Sequence, residues 1–303
     1  MKITRTLRKN SAGQDVRYLK EWLFENDFYA AKIKKITNST YGADTVNAVK
    51  NYQRRYDLNV DGIFGPKSRE KLNEIINGTK KNFVEYVSAK EFPRISEANR
   101  AKINVALNGS EVTYVRRQVV LEALKQATDA SIASKFAYPS SLYIRGGDLY
   151  TKNGKINVIT YEYLTKTYPK KYASYCTKGR LEMMEKAVKA NPKITGADCS
   201  GGIIGILRHF GLIPMNTDAT ANGLCGSGYS TVISKSDLTA GDFIGTDGHI
   251  CLYVGGGLRV EWAGGEWGCQ LVEQAKPKGY SYTKKKMVNL SNCTRYRRPK
   301  IYK

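Results

Sequence analysis

Histidine is scarce in this sequence, and its cysteines lack the paired spacing of common metal sites. His209 and His249 are the only histidines among 303 residues, so a histidine-rich metal site is excluded and any imidazole base is one of these two. The six cysteines all lie in the second half, and none is spaced CxxC, which argues against a zinc ribbon or a redox pair. We therefore expect six reduced, partly buried thiols and no bound metal or other cofactor.

Long apolar runs are also missing. No segment approaches the roughly 18 uninterrupted apolar residues that mark a transmembrane helix, so no membrane insertion is expected. Residues 1–5 lead into polar sequence rather than into the apolar stretch of a secretion signal. We expect synthesis in the cytoplasm without a signal peptide.

Acidic residues are few beside basic ones. Lys and Arg total 49 and Asp and Glu total 27, which gives a net charge of +22 and predicts a polyanionic partner. Nucleic acid, an anionic membrane surface and a Gram-positive wall with its acidic polymers all fit that charge. Hydrophobic residues at 41% and charged residues at 25% are typical of a globular protein, and the length allows one large or two smaller domains.

Residues 1–78 contain an approximate internal duplication. An aromatic residue followed by glycine at 41–42 and again at 64–65 precedes a predicted helix, and Pro66 suits a first helical turn. Apolar residues recur at three- and four-residue spacing from Val16 and from Val46. The pattern predicts three short helices packed on one small core.

Four sequence blocks occur in a fixed order within this region. They are Gly-Gln-Asp-Val at 13–16, Tyr-Gly at 41–42, Tyr-Gln at 52–53 and Leu-Asn-Val-Asp-Gly-Ile-Phe-Gly-Pro at 58–66. In this order they resemble the small three-helical peptidoglycan-binding module found at the ends of wall hydrolases. The resemblance implies that residues 1–78 bind peptidoglycan of the bacterial cell wall, with anionic wall polymers as a further partner.

The rest of the chain divides into a connection and a second domain. Residues 79–112 are predicted to be a linker with one helix, which Ser96 could cap and which runs toward Leu107. Residues 113–303 are predicted to form the second domain. The stretch 148–196 within it is rich in tyrosine and lysine and has further helical periodicity.

A cysteine stands at the predicted start of a buried helix. Ala-Asp-Cys-Ser-Gly-Gly at 197–202 precedes the apolar run 203–210, which Gly211 and Pro214 end. Unpaired N–H groups and the helix dipole at this position favour the thiolate of Cys199, and the same N–H groups could hold an oxyanion. A cysteine nucleophile also needs a base from elsewhere in the chain.

His249 stands at the start of a predicted β-hairpin, with strands 249–254 and 258–263 joined by a glycine turn. If the hairpin centres on Gly256, His249 opposes Ala263 and Glu261 is its diagonal neighbour on the same face, within reach of a long side chain. A centre half a residue earlier puts Glu261 on the opposite face. We predict Cys251 on the other strand face from His249, in the core.

Five features of the second half again follow a fixed order. Tyr-Ile-Arg-Gly-Gly at 143–147 and Asp-Cys-Ser-Gly at 198–201 come first, then Leu-Thr-Ala-Gly-Asp at 238–242, then His249 and, 12 positions later, Glu261. In this order they resemble the NlpC-type, papain-like peptidases that cut the peptide stems of peptidoglycan. The resemblance implies an α+β fold in which the nucleophile-bearing helix packs on an antiparallel sheet.

The resemblance also implies roles. Cys199 is the nucleophile, His249 the base and Glu261 the orienting group, while further residues border the pocket for the stem peptide: Asp198, Ser200 and Tyr143. The family usually has His, Asn or Gln at the third position, so Glu261 is a departure. The stretch 148–196 is a second departure, because the family usually has a short loop there.

These roles predict a wall-lytic cysteine endopeptidase, with the bond between the γ-carboxyl of D-glutamate and the diamino acid as the expected target. The alternatives are a CHAP-like N-acetylmuramoyl-L-alanine amidase with the same Cys-His pair, and a non-enzymatic wall-anchoring phage structural protein. A nucleic-acid binder is supported only by charge, and we expect no nucleic-acid partner. A wall-binding module without a signal peptide resembles a phage endolysin, which reaches the wall through a holin or on lysis.

Overall fold

The computed structural model describes residues 3–30, 33, 35–76, 83–264 and 266–302. They form two compact units, one extending to Glu85 and including Thr113–Val115, the other made of Tyr86–Val112 and the chain from Arg116 onward. The predicted boundary between residues 78 and 79 lies outside the described residues.

The first unit is helical. Its helices are α1 (Gln14–Glu25), α2 (Ala43–Arg55) and α3 (Pro66–Ile76). The three- and four-residue spacing of apolar side chains buries Val16, Leu19 and Leu23 of α1 against Val49 and Tyr52 of α2. The prediction of three short helices around one core is confirmed.

A buried glutamine holds the turn between α2 and α3. Nε2 of Gln53 donates to Oδ1 of Asp61 at 2.8 Å and to the carbonyl of Ile63 at 2.9 Å, and its Oε1 accepts from the N–H of Gly62 at 2.8 Å. Gly62 has φ +75°, a conformation that glycine adopts without strain. The backbone conformation of this turn therefore requires the glycine of the Asp-Gly pair in the sequence motif.

The second unit mixes helices and strands. The helices that follow along the chain are α4 (Glu97–Leu107), α5 (Tyr114–Gln126), α6 (Tyr168–Lys171), α7 (Lys178–Ala190), α8 (Cys199–His209) and α9 (Ala221–Leu224). The strands are β1 (Thr128–Asp129), β2 (Ser141–Tyr143), β3 (Thr195–Ala197), β4 (Ser230–Val232), β5 (Phe243–Thr246), β6 (His249–Gly255), β7 (Leu258–Ala263), β8 (Gly268–Glu273), β9 (Lys278–Ser281), β10 (Lys286–Asn289) and β11 (Arg295–Pro299).

The main sheet has seven strands among the described residues, in the order β1-β8-β7-β6-β5-β11-β4. Its pairs are antiparallel except β1 with β8, and β2 with β3 forms a separate parallel pair. The chain is thus a mixed α and β protein with an N-terminal helical module. The prediction of a wholly antiparallel sheet is wrong at β1. This strand follows helix α5 and pairs with β8 at the edge of the sheet in the parallel direction.

The segment predicted as a linker is partly built into the second unit. The predicted helix is α4, and Ser96 caps it by accepting from the N–H of Asn99. Ile103 and Leu107 of α4 join Phe92 in the core that α8 and the sheet share. Residues 86–112 are therefore packed protein, because their apolar side chains cover the sheet and keep it from solvent.

The stretch 148–196 is also folded. It contributes α6 and α7, whose buried side chains form a small separate core with β2 and the residue before β3. Met184 and Val188 of α7 lie in this core with Leu142 of β2 and Ile194 just before β3. This core fixes β2 and β3, and β3 leads directly into α8.

Candidate active site

Asp198 fixes the beginning of α8. Its Oδ1 accepts from the N–H of Gly201 at 2.7 Å and from Oγ of Ser200 at 3.1 Å, which makes it the N-cap. Its Oδ2 accepts from the N–H of Gly146 at 2.9 Å. One carboxylate therefore joins the block 143–147 to the helix that carries Cys199.

Two glycines allow α8 to lie very close to its neighbours. A Cβ at Gly201 would lie 2.1 Å from the carbonyl oxygen of Gly147, and a Cβ at Gly202 would lie 2.5 Å from the ring of Trp262 in β7. Any larger residue at either position would push the helix away. The Gly-Gly pair after the cysteine therefore sets the position of the first turn of α8 against the sheet.

Cys199 is the first residue of α8 and is 8% exposed. Its Sγ lies 4.0 Å from the carbonyl oxygen of Gly248, the residue before β6, and its side chain makes a hydrogen bond with His249. The structure thus places the thiol beside the imidazole at the end of strand β6, although 50 positions separate the two residues in the sequence.

Glu261 holds the other side of the imidazole. Nε2 of His249 lies 2.6 Å from Oε2 of Glu261, which is 1% exposed. Leu252 pairs with Val260 and Tyr253 with Arg259, so the hairpin has the predicted register centred on Gly256, with a bulge next to the turn. Because Glu261 occupies Nε2, Nδ1 is the ring nitrogen left for the thiol of Cys199.

A buried arginine neutralises Glu261. Oε1 of Glu261 accepts from Nη2 of Arg259 at 2.9 Å and from Nε at 3.3 Å. Arg259 is fully buried and also donates to Oε1 of Gln274 at 3.0 Å and to the carbonyl of Ser291 at 2.8 Å. Burial alone would raise the pKa of Glu261, but the hydrogen bond from His249 and the charge of Arg259 outweigh it and lower the pKa.

The same contacts keep a proton on His249. Burial alone would lower the pKa of this imidazole, but the hydrogen bonds to Cys199 and Glu261 raise it from 6.5 to about 10. At neutral pH the ring therefore carries a positive charge between two acceptors. This arrangement can pair with a thiolate and can later donate a proton to a leaving group.

The predicted face of Cys251 is wrong. Its Sγ lies 3.5 Å from Nε2 of His249 and 3.4 Å from Oε2 of Glu261, because residues two apart on a strand share a face. Its burial is as predicted, and burial raises the pKa of its thiol. Cys293 lies next to it, with the two sulfurs 3.7 Å apart.

Among the residues that the structure describes, Cys251, Cys293 and His249 form a candidate metal-binding group. The ligand atoms of His249, Cys251 and Cys293 all lie within 4.8 Å of one another. The group is on the Nε2 side of the imidazole, away from Cys199.

The predicted substrate-binding residues border Cys199. Tyr143 ends β2 opposite Ala197, and Ser200 lies in the first turn of α8. Burial raises the pKa of Tyr143, with the neighbouring Cys199 as the next cause, so its phenol stays protonated. The ring of Tyr143 stacks on that of Tyr175 at 6.3 Å, which brings the stretch 148–196 to the edge of the site.

Two other residues with titratable side chains lie outside this arrangement. His209 is exposed in the last turn of α8 and stacks on Tyr150 at 4.1 Å. Cys225 caps the C-terminal end of α9 and is buried, and burial raises the pKa of its thiol. Helix α9 ends at this position, and the backbone N–H of Cys225 donates to the carbonyl oxygen of Ala221.

The sequence prediction missed Arg259, Gln274 and Cys293. The signal for Arg259 was present, because charged residues at 259 and 261 alternate with apolar ones in the strand and so share a face. Gln274 and Cys293 lie beyond the hairpin, and no local pattern brings them to it.

The comparisons with known proteins bear on the first unit. The sequence model of a peptidoglycan-binding domain family matches residues 12–72, within that unit. No curated protein and no solved structure matches the chain. The match supports peptidoglycan as the partner of the N-terminal module and an association with the cell wall. Among the described residues, none of the helices combines the length and apolarity needed to cross a bilayer.

Proposed function

We propose that this protein is a peptidoglycan hydrolase, a cysteine endopeptidase with a papain-like catalytic unit and an N-terminal wall-binding module. One observation carries the proposal. His249 has the thiol of Cys199 on one side and, at 2.6 Å on the other, the carboxylate of Glu261, which Arg259 holds in place. Covalent catalysis at an amide requires a nucleophile, a base and an orienting group, each in contact with the next.

The chemistry follows from these positions. Cys199 and the protonated His249 form an ion pair, and the sulfur attacks the carbonyl carbon of a stem-peptide amide. The N–H groups at the start of α8 stabilise the oxyanion. The tetrahedral intermediate expels the amine, which takes the proton from His249, and water then releases the acyl group from the sulfur. Glu261 stabilises the imidazolium and keeps Nδ1 directed at the thiol throughout.

The substrate follows from the module and from the resemblance. The family match at residues 12–72 supports binding to peptidoglycan, so the bond to be cut lies in the same polymer. We propose the amide between the γ-carboxyl of D-glutamate and the diamino acid, and the cell wall as the place of action after release by a holin or lysis. The net charge of +22 adds attraction to anionic wall polymers.

The test is digestion of purified sacculi, followed by mass spectrometry of the released fragments. We expect Cys199→Ala to release none, because it removes the thiol that makes a hydrogen bond with His249. Cys225→Ala is the matched control, since it removes a buried thiol outside the site and should leave the release unchanged. Release by a folded Cys199→Ala variant above a few per cent of wild type would refute the cysteine mechanism.

The fragments also distinguish the alternatives. A new amino group on the diamino acid supports the proposed endopeptidase. Stems freed whole from muramic acid would show a CHAP-like amidase acting through the same pair of residues. Binding of the full-length protein to sacculi with no released fragment would show a wall-anchoring protein without enzymatic activity.

A further inference from the structure

The cluster on the Nε2 side of His249 is not used by the proposed reaction. Cys251 is fully buried and Cys293 is 1% exposed, and both are free thiols. Neither thiol belongs to the hydrogen-bonded series that runs from Cys199 through His249 and Glu261 to Arg259. Two soft sulfur ligands and an imidazole nitrogen in one place are the ligand types that zinc selects.

The distances fit a tetrahedral ion. Zn–S bonds of about 2.3 Å and Zn–N bonds of about 2.0–2.1 Å at tetrahedral angles separate two sulfurs by about 3.8 Å and sulfur from nitrogen by about 3.6 Å. The two sulfurs here are 3.7 Å apart, and Sγ of Cys251 is 3.5 Å from Nε2 of His249. The remaining edge, from Cys293 to His249, is within 4.8 Å, so a movement of about 1 Å closes the site.

The connection that carries Cys293 is held at the cluster by its backbone. Residues 290–294 lie between β10 and β11 without regular secondary structure. Two buried side chains anchor this connection, because Arg259 donates to the carbonyl of Ser291 at 2.8 Å and Gln274 donates to that of Cys293 at 2.9 Å. A change in the side-chain torsion of Cys293 is the movement that would close the site.

We propose that His249, Cys251 and Cys293 form a binding site for a zinc-type divalent cation, with water as the fourth ligand, because Oε2 of Glu261 lies only 2.6 Å from Nε2 of His249. On binding, one M–N bond and two M–S bonds form, while two S–H bonds and the Nε2–H bond of the protonated ring break with release of three protons to solvent. The charges then balance, since two thiolates and the Glu261 carboxylate face the divalent ion and Arg259.

Metal binding at this cluster also affects the proposed reaction, and this part of the inference rests on the proposed function. A metal on Nε2 takes the position at which Oε2 of Glu261 holds the ring at 2.6 Å, so the imidazole loses its orienting carboxylate. Metal binding therefore disables the catalytic pair. The protein is active without the metal and inhibited with the metal bound.

Metal binding is tested on the full-length, reduced, chelator-treated protein by titration with Zn²⁺ and with Co²⁺. We expect one equivalent of Zn²⁺ to bind with release of three protons, and Co²⁺ to give thiolate-to-metal charge-transfer absorption. Cys293→Ser should weaken binding by more than the roughly 10–100-fold that loss of an outer partner costs. Cys225→Ser, another buried thiol outside the cluster, should bind like wild type.

Several outcomes would overturn the site. They are no stoichiometric binding, equal binding by the Cys293→Ser variant, and a Cys251–Cys293 disulfide in the protein prepared under reduction. Circular dichroism checks that Cys293→Ser is folded, and Cys251→Ser provides a second ligand variant if it is not.

The inhibition is measured as release of sacculus fragments with Zn²⁺ relative to the same variant with chelator. Wild type should lose its activity and regain it with chelator, whereas Cys293→Ser should resist the ion. Inhibition equal in both would refute the switch. If no fragment is released under any condition while the titration shows the metal, the proposed function fails and the metal site stands.

Discussion

The two faces of the β6–β7 hairpin differ completely. One face carries Ile250, Leu252, Val260 and Trp262, which pack in the main core with α8. The other carries the titratable and charged side chains of the site: His249, Cys251, Arg259 and Glu261. Both faces are formed by the same two strands, because side chains alternate along a strand.

The same two strands therefore serve both stability and chemistry. Apolar burial needs no specific partner, so the first face tolerates changes that keep its volume. Buried charges cost free energy unless each is paired, so the second face depends on every partner being present. Substitutions on one face should therefore have different effects from substitutions on the other.

Glu261→Ala should have the largest effect. It leaves Arg259 buried without its counterion, and breaking such a pair costs about 3–5 kcal/mol in the free energy of unfolding. The rate of fragment release should also fall, by about 100-fold or more, because His249 loses its orienting group. Denaturant unfolding and sacculus digestion measure the two effects.

Glu273→Ala is the matched control for this variant. Glu273 ends β8 with its side chain exposed, so both quantities should stay close to wild type. A Glu261→Ala variant with wild-type kinetics would show that Glu261 has only a structural role.

Leu252→Ala tests the apolar face. Leu252 is 1% exposed, and such a truncation in a core costs about 2–5 kcal/mol in the free energy of unfolding. The rate per folded molecule should stay within about threefold of wild type, since the side chain points away from the site. A rate loss as large as that of Glu261→Ala, measured on folded protein, would show that the faces are not separable.

Glu261→Gln should give an intermediate result. The amide keeps the shape and an acceptor for Arg259, so the loss of rate should be only partial. Without the carboxylate charge the pKa of His249 falls, and the alkaline limb of the pH–rate profile should move to lower pH. An unchanged alkaline limb would show that Glu261 does not set the pKa of His249.

The effect that is smallest per pH unit is a pH dependence of stability. The pKa of His249 is raised from 6.5 to about 10, so its contribution to stability is full below pH 6.5 and is lost as the pH rises toward 10. The slope from one such group is at most about 1.4 kcal/mol per pH unit. Denaturant unfolding between pH 6 and 10 should show this slope in wild type and in Leu252→Ala, and not in His249→Asn. Equal slopes in wild type and His249→Asn would contradict the assigned pKa.

Local patterns predicted much of what the structure shows. Helical spacing located α1, α2 and α3, and the glycine turn left two hairpin registers, of which the structure has the one centred on Gly256. Both depend on interactions between residues close in the sequence. The block around Cys199 likewise predicted a helix start, which Asp198 caps.

What the sequence prediction missed depends on contacts between distant residues. Cys293 reaches Cys251 across 42 positions because β11 inserts between β5 and β4, a pairing that no local pattern encodes. Residues 86–112 join a core whose other side is formed by strands more than 100 positions later. The error at Cys251 has a different origin, since the two-residue period of a strand already places it beside His249.

Detection of the covalent intermediate is the decisive test of Cys199 as the nucleophile. Full-length protein is mixed with solubilised stem peptides, quenched in acid within the first turnovers, digested and mapped by mass spectrometry. We expect an acyl group of the stem peptide on the sulfur of Cys199, absent from unreacted protein. Continued release of fragments with Cys199 unmodified at every time, or undiminished in Cys199→Ala, would contradict it.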